Sequence, residues 1–152
     1  MSIRLESPRT AGVPELVAAL DAHLNSLYPP SSNHFLDLEQ LSQPDVRFFV
    51  ARRNGLALAC GALRINGASY GEVKRMYVAP QARGGGLGRA ILASIEALAA
   101  REGLSVLRLE TGVHQAEALA LYRSSGYVDC EPFGDYKLDP LSRFMEKRLR
   151  QA

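Results

Sequence analysis

Four glycines, Gly84, Gly85, Gly86 and Gly88, stand between an apolar run ending at Val78 and an alanine-rich segment beginning at Arg89. A strand that passes through glycines into a helix leaves backbone N–H groups without intrahelical acceptors. It also aims the positive end of the helix dipole at the same spot. Such a spot binds phosphate. Three consecutive glycines and a fourth exceed what a tight connection needs, because each costs backbone entropy on folding. Two phosphate-binding patterns are excluded by the residues that follow. A nucleotide-hydrolysing loop ends in Gly-Lys-Ser/Thr, whereas Gly88 is followed by Arg89 and Ala90. A dinucleotide fingerprint requires a third glycine three positions after the second, and those positions hold Arg89 and Ile91.

The chain has 152 residues, a formal net charge of +2 and 47% hydrophobic residues. That is the size and balance of one globular domain with a single core. So small a charge, with no long Lys/Arg run, argues against a nucleic-acid partner. Lys147, Arg148 and Arg150 read as a solvated strand face. No stretch approaches the ~18 apolar residues of a membrane span. Met1 to Glu6 lacks a signal-peptide core, so a cytoplasmic protein without membrane contact is expected. Cys60 and Cys130 fall in segments that read as strands, and thiols in a reducing compartment are favoured over a disulfide. His23, His34 and His114 are too scattered for a metal site, so no metal is expected.

The glycine loop has to be held between a strand and a helix, and the flanking sequence supplies both. Ile3 to Glu6 reads as a first strand. Pro14 opens a helix carrying Leu16, Val17, Leu20, Leu24 and Leu27 at helical period, and Tyr28 to Asn33 breaks it. Asp37 to Leu41 reads as one or two helical turns. Val46 to Arg52 and Leu56 to Ile65 read as strands joined by an Asn54-Gly55 hairpin turn. A second turn at Asn66-Gly67 leads into a strand from Glu72 to Val78. The helix from Gly86 to about Glu102 carries Leu87, Ile91, Ile95 and Leu98 on one stripe and ends at Gly103. Leu104 to Glu110 is the next strand, and Ala116 to Ser125 a helix stopped by Gly126. Tyr127 to Pro132 and Ser142 to Leu149 read as two closing strands. The order predicts an α/β (α+β) fold over residues 1–152, with about seven strands and about four helices and no internal repeat.

The sequence Arg83-x-x-Gly86-x-Gly88, preceded by Val78-x-Pro80, resembles the acetyl-CoA-binding signature of the GNAT superfamily of N-acetyltransferases, Gln/Arg-x-x-Gly-x-Gly/Ala. Gln115-x-x-Ala118-x-x-Leu121-Tyr122-Arg123-Ser124-Ser125-Gly126-Tyr127 resembles a second motif of that superfamily, with Gln115 replacing the common Asn. The element order is similar over nearly the whole chain, least so at residues 28–45. The chain thus resembles a small bacterial-type, single-domain member. Phe133-Gly134-Asp135-Tyr136-Lys137-Leu138-Asp139-Pro140 is similar to a segment found in a group of small bacterial members.

That resemblance implies a mixed, mostly antiparallel sheet splayed between its fourth and fifth strands into a V-shaped cleft. There the pantetheine arm of acetyl-CoA would pair with backbone groups near Met76, Tyr77 and Val78, as in strand addition to an exposed edge. An N–H near Met76 or Tyr77 would face the oxyanion. The pyrophosphate would rest on the amides from Arg83 through Gly84, Gly85, Gly86, Leu87 and Gly88. Arg83 and Arg89 would lie near phosphate oxygens, and Gln115 near pantetheine. Acyl transfer from a thioester to an amine requires removal of the ammonium proton, a stabilised oxyanion and protonation of the departing thiolate. Tyr122 falls on the superfamily's usual general acid. Glu72 matches a strand glutamate that draws a proton through water in histone-type members; its alternative is a strand carboxylate paired with Lys74 or Arg64.

Specificity in this fold comes from the segments carrying Tyr28, Asn33, His34, Phe35, Asp37, Phe133, Asp135 and Tyr136. Aromatics with a few acids suit a small cationic amine, its ammonium paired by Asp37, Asp135 or Glu110. His114 is a base, a substrate contact or a loop residue with no task. The expected activity is acetyl-CoA-dependent N-acetylation of a small-molecule primary amine by direct attack. Neither cysteine is placed at the cleft by motif, so no acyl-enzyme is expected. A non-catalytic acyl-CoA-binding regulator, an acyltransferase for longer chains and a protein or peptide N-acetyltransferase remain alternatives. Homodimers are common in the superfamily, so a homodimer paired near the C-terminus is one expected assembly.

Overall fold

The computed structural model describes residues 1–33 and 36–150. Its strands are β1 (Ser2–Leu5), β2 (Val46–Arg53), β3 (Leu56–Asn66), β4 (Tyr70–Val78), β5 (Val106–Gly112), β6 (Val128–Asp129) and β7 (Ser142–Arg148). Its helices are α1 (Val13–Leu27), α2 (Leu38–Leu41), α3 (Leu87–Arg101) and α4 (Ala116–Ser124), with 3-10 turns at Pro30–Ser32 and Pro80–Ala82. The strands form one sheet in the order β1-β2-β3-β4-β5-β7-β6, in which only β4 and β5 pair in parallel. The fold class and the element order expected from the sequence both hold. The sixth strand is shorter than expected, covering two residues rather than Tyr127 to Pro132. Cys130 still donates its N–H to Phe144 O at 2.9 Å, but Pro132 has no N–H to continue the ladder.

The Asn54-Gly55 turn takes φ of 52° and 80°, the two positive angles of a type I′ hairpin. α3 lies on one face of the sheet. Leu87, Ile91, Leu92, Ile95 and Ala99 pack there with Leu63, Val73, Leu107, Leu109 and Met145. Each fully buried Leu or Ile contributes about 1.5–3 kcal/mol. Gly61 lets the helix close on β3: a Cβ there would lie 2.6 Å from Ile91 Cγ2 and 2.5 Å from Met76 Sδ. α1 and α2 cover the other face, burying Val13, Leu16, Val17 and Leu41 against Phe48, Val50, Cys60 and Ala62. A third cluster of Tyr70, Val106, Phe133 and Phe144 anchors the segment before β7. Among the described residues no helix is long and apolar enough to cross a membrane.

The sheet's main irregularity lies in β4. Cys60 pairs with Tyr77 and Ala62 with Lys74, so Gly61 alone faces both Arg75 and Met76, and Arg75 adopts φ 57°. This is a β-bulge, which bends and twists its strand. Across the other edge, β4 and β5 pair only at Gly71 with Leu107, Glu72 with Arg108 and Val73 with Leu109. Beyond Val73 the two strands part. The splay implied between the fourth and fifth strands is present.

Candidate active site

The parted strands open a cleft bordered by Val73 to Met76 of β4, Glu110 to Gly112 of β5, Gln115, Ala118 and Tyr122 around α4, and Leu20, Leu24 and Tyr28 of the α1 side. Alternation along β4 sends Met76 and Val78 toward the α3 core and Tyr77 toward the α1 and α2 core. Only the backbone of this stretch is therefore common to the cleft edge. The expected pantetheine positions Met76, Tyr77 and Val78 form that edge.

At the far end of β4 the chain turns through Pro80–Ala82 into the glycine loop. Gly84 and Gly86 take φ of 86° and 81°, and a Cβ on either would meet nothing within 4 Å. Gly86 is the N-cap of α3, and the first capping bond runs from Ala90 N–H to Gly86 O at 3.0 Å. The amides of Leu87, Gly88 and Arg89 therefore precede any intrahelical acceptor. Positive φ accounts for glycine at Gly84 and Gly86, but not at Gly85 or Gly88. Cβ atoms there would come no closer than 3.9 Å to Ala82 O and 3.4 Å to Leu121 Cδ2, respectively. The fold itself makes no demand for glycine at those two positions. A row of amides facing open space fits a pyrophosphate group.

The side chains around this loop have structural partners. Leu87 is 7% exposed and belongs to the core, so it can offer only its backbone. Arg83 donates Nε–H to Val78 O at 3.0 Å and lies 5.7 Å from the Tyr77 ring centre, clipping the loop to the strand. Arg89 donates to Ser124 Oγ at 2.7 Å and Ser125 Oγ at 3.3 Å, joining the start of α3 to the end of α4. Gln115 Oε1 accepts from Gly112 N–H at 2.9 Å and orients the start of α4 against β5.

Tyr122 is 5% exposed, packs edge-on to Tyr127 and borders the cleft. Burial, helped by the negative charge of Glu110, raises its phenol well above the ordinary value of 10.0, so it stays protonated. Glu110 accepts from Ser142 Oγ at 2.7 Å and borders the same cleft. Tyr28 reaches across from α1 and accepts from His114 N–H at 3.0 Å. His114 stacks on Tyr28, with ring centres 5.6 Å apart.

Glu72 borders an adjoining cavity instead of the cleft. It sits where β4 and β5 are still paired, one residue before they part, so the opening begins beyond it. Its Oε2 accepts from the Tyr136 hydroxyl and from Lys74 Nζ at 3.2 Å, while Lys74 also donates to Tyr136 Oη at 2.7 Å. Burial, with Glu72 next in importance, raises the Tyr136 phenol far above its ordinary value. Of the expected acceptor contacts, Asp135 and Tyr136 border this cavity, and Asn33 borders the cleft. Asp37 borders neither: it caps α2, accepting from Gln40 N–H at 2.8 Å. Phe133 is core, and His34 and Phe35 lie outside the described residues.

The ion pair of Arg75 with Asp21 was not legible in the sequence. The Arg75 side chain is 2% exposed and sits at the bulge, tying β4 to α1. Cys60 is buried, and burial pushes its thiol up to about 12; Cys130 is half-buried and lies beside β7. Neither cysteine borders the cleft.

Residues 16–127 match the model of the Acetyltransferase (GNAT) family. An IAA acetyltransferase of Azospirillum brasilense is 54% identical over 150 residues, covering 98% of each chain. The uncharacterized N-acetyltransferase YsnE of Bacillus subtilis is 36% identical, covering 89% of this chain and 93% of its own. A solved structure from Klebsiella pneumoniae, assigned as an acyl-CoA N-acyltransferase, is 41% identical with a TM-score of 0.86, covering 98% of this chain and 97% of that one. An aminoglycoside 6'-N-acetyltransferase complexed with coenzyme A shares the fold, at a TM-score of 0.75 and 16% identity over 100% of this chain and 99% of that one. With this glycine loop, this splayed sheet and these relatives, the chain belongs to the GNAT family of acetyltransferases.

Proposed function

We propose that the protein transfers an acetyl group from acetyl-CoA to the primary amine of a small molecule by direct attack, in the cytoplasm, as one domain over residues 1–152. The observation that carries this reading is the opening beyond Val73: the parted edge of β4 and Tyr122 border one cleft, and the same strand runs on into the glycine loop that starts α3. Acetyl-CoA supplies the acyl group as a thioester. The amides of Gly84 to Gly88 hold its pyrophosphate, and the backbone of Met76 to Val78 aligns the arm. Gln115 holds the β5–α4 turn that carries the wall opposite.

Tyr122 gives its phenolic proton to the departing sulfur. Burial keeps the phenol protonated at neutral pH, the form in which a general acid must meet the thioester. Arg89 keeps Tyr122 in register with the glycine loop by holding the last turn of α4. An amine suits the cleft because a carboxylate, Glu110, stands on its wall.

Incubating the protein with acetyl-CoA and a panel of spermidine, kanamycin, tyramine and lysine, while following thiol release, tests the reading. Release that depends on one of these amines supports it. Binding of acetyl-CoA without release to any acceptor would favour a regulator instead.

A further inference from the structure

We propose that Glu110, and not Glu72, receives the ammonium proton of the acceptor amine. This inference rests on the acetyltransferase reading and deepens it by naming a further catalytic residue.

The register of the sheet separates the two carboxylates. Glu72 faces Arg108 across the last paired stretch of β4 and β5, whereas Glu110 is the residue of β5 immediately after the last pair, Val73 with Leu109. The gap between the strands therefore opens beside Glu110. Glu110 borders that gap together with Tyr122, the proposed acid, whereas Glu72 does not. An attacking nitrogen has to lie within the gap, near both the proton donor for sulfur and the acceptor for its own proton.

The two carboxylates also differ in what they hold. Glu72 Oε2 accepts from two donors, the Tyr136 hydroxyl and the Lys74 ammonium, and its side chain is 9% exposed. Both donors hold the Glu72 carboxylate in the adjoining cavity, on the far side of the last paired rung from the opening. The Ser142 hydroxyl, at 2.7 Å, orients Glu110 on the wall of the gap. Among the described residues, Tyr28 at the end of α1, Tyr122 of α4 and Tyr136 before β7 are titratable groups near Glu110, and Lys74 and Arg75 of β4 border the same cleft. The charge of Glu110 is felt by the phenols of Tyr28, Tyr122 and Tyr136, which places it among all three.

The step balances as follows. The ammonium loses one proton to the Glu110 carboxylate, and the nitrogen lone pair forms the C–N bond at the thioester carbon. The C–S bond breaks and sulfur takes the Tyr122 proton. The nitrogen then returns a proton to the Tyr122 phenolate as the amide forms. Glu110 releases its own proton to water, so the net change is one amide, one thiol and one proton.

The test compares two nucleophiles: the panel amine that wild-type protein acetylates, and hydroxylamine, which is largely unprotonated at neutral pH. Acetyl-CoA affinity, measured by calorimetry, serves as the control for folding. Glu110→Gln should slow transfer to the alkylamine by about 10²-fold or more at pH 7, in the range of general-base contributions. The loss should shrink about tenfold per pH unit as the unprotonated amine becomes more abundant. Transfer to hydroxylamine and the affinity for acetyl-CoA should stay within about threefold of wild type, whereas a merely structural role would slow both nucleophiles alike at every pH. Glu72→Gln should show no such dependence on pH or nucleophile. Equal losses on both nucleophiles for Glu110→Gln, or the pH-dependent loss appearing in Glu72→Gln, would overturn the assignment. Wild-type protein that releases no thiol with any nucleophile would overturn the acetyltransferase reading itself, and this inference with it.

Discussion

The Tyr28 hydroxyl occupies the space in which a side chain on Gly112 would begin: a Cβ built on Gly112 would lie 1.8 Å from it. Glycine here serves a close approach, since Gly112 is not among the positive-φ residues. The contact brings the C-terminal end of α1 onto β5 and sets the wall of the cleft. Gly112→Ala should therefore expel Tyr28, break its bond to His114 N–H and destabilise the fold by about 1–3 kcal/mol, as overpacking does. Pairing it with Tyr28→Ala should recover part of that loss. Chemical denaturation of the two single variants and the double variant measures the coupling.

Tyr122→Phe should lower kcat by about 10²-fold while leaving acetyl-CoA affinity within about twofold, because the lost interaction belongs mainly to the transition state. The raised phenol also sets the sign of the pH dependence. The protonated form persists above the ordinary value of 10.0, so Tyr122 should impose no basic limb on the rate below that pH. A stopped-time assay between pH 6 and 10 checks both statements. Equal loss of rate and affinity would make Tyr122 structural.

Gly85→Glu separates the phosphate cradle from the fold. Gly85 has neither a positive φ nor a neighbour closer than 3.9 Å to a built Cβ, so the melting temperature should change little. Acetyl-CoA affinity should fall at least about tenfold, because a carboxylate would face the pyrophosphate (~1.4 kcal/mol per factor of ten). Unchanged affinity in calorimetry would remove the loop from the binding site.

How much of this was legible beforehand depends on the kind of contact. Gly84 and Gly86 could be placed because glycine at a strand-to-helix junction has few meanings, and Tyr122 because its motif spans both ends of α4. The strands were legible from their alternation and hairpin turns. The choice between Glu72 and Glu110 was not, because it turns on where two parallel strands part, a property of β4 and β5 together. Asp37, expected beside the acceptor amine, borders neither cavity for a local reason. Its carboxylate and Gln40 form a capping box on α2, and that pair is a helix-start signal in its own right.

Away from the cleft, Glu6 and Arg52 join the β1–α1 loop to β2 through contacts of 2.9 Å. The Arg52 guanidinium, with a further bond from Thr10, holds the Glu6 carboxyl below its ordinary value of 4.5 despite partial burial. A depressed value contributes stability that is present above the ordinary value and is lost as pH falls through the depressed one. Glu6→Gln should thus melt lower than wild type by about 1 kcal/mol of stability at pH 7, and the gap should close as pH falls through the depressed value of Glu6. A gap in thermal melts that does not narrow at all on acidification would assign the pair a role unrelated to charge.

The short pairing of β4 with β5 has a consequence for how the protein behaves between turnovers. Strand edges that part after three residues leave the sheet without rungs beside Lys74 to Val78. On the proposed function, the arm of acetyl-CoA supplies them. Amide hydrogens along that edge should exchange quickly in the empty protein and slowly in the loaded one. Ligand that binds only the folded form also raises its stability as its concentration climbs above Kd. The rigidity and lifetime of the sheet would then follow the supply of acetyl-CoA, with the substrate serving as a missing part of the architecture.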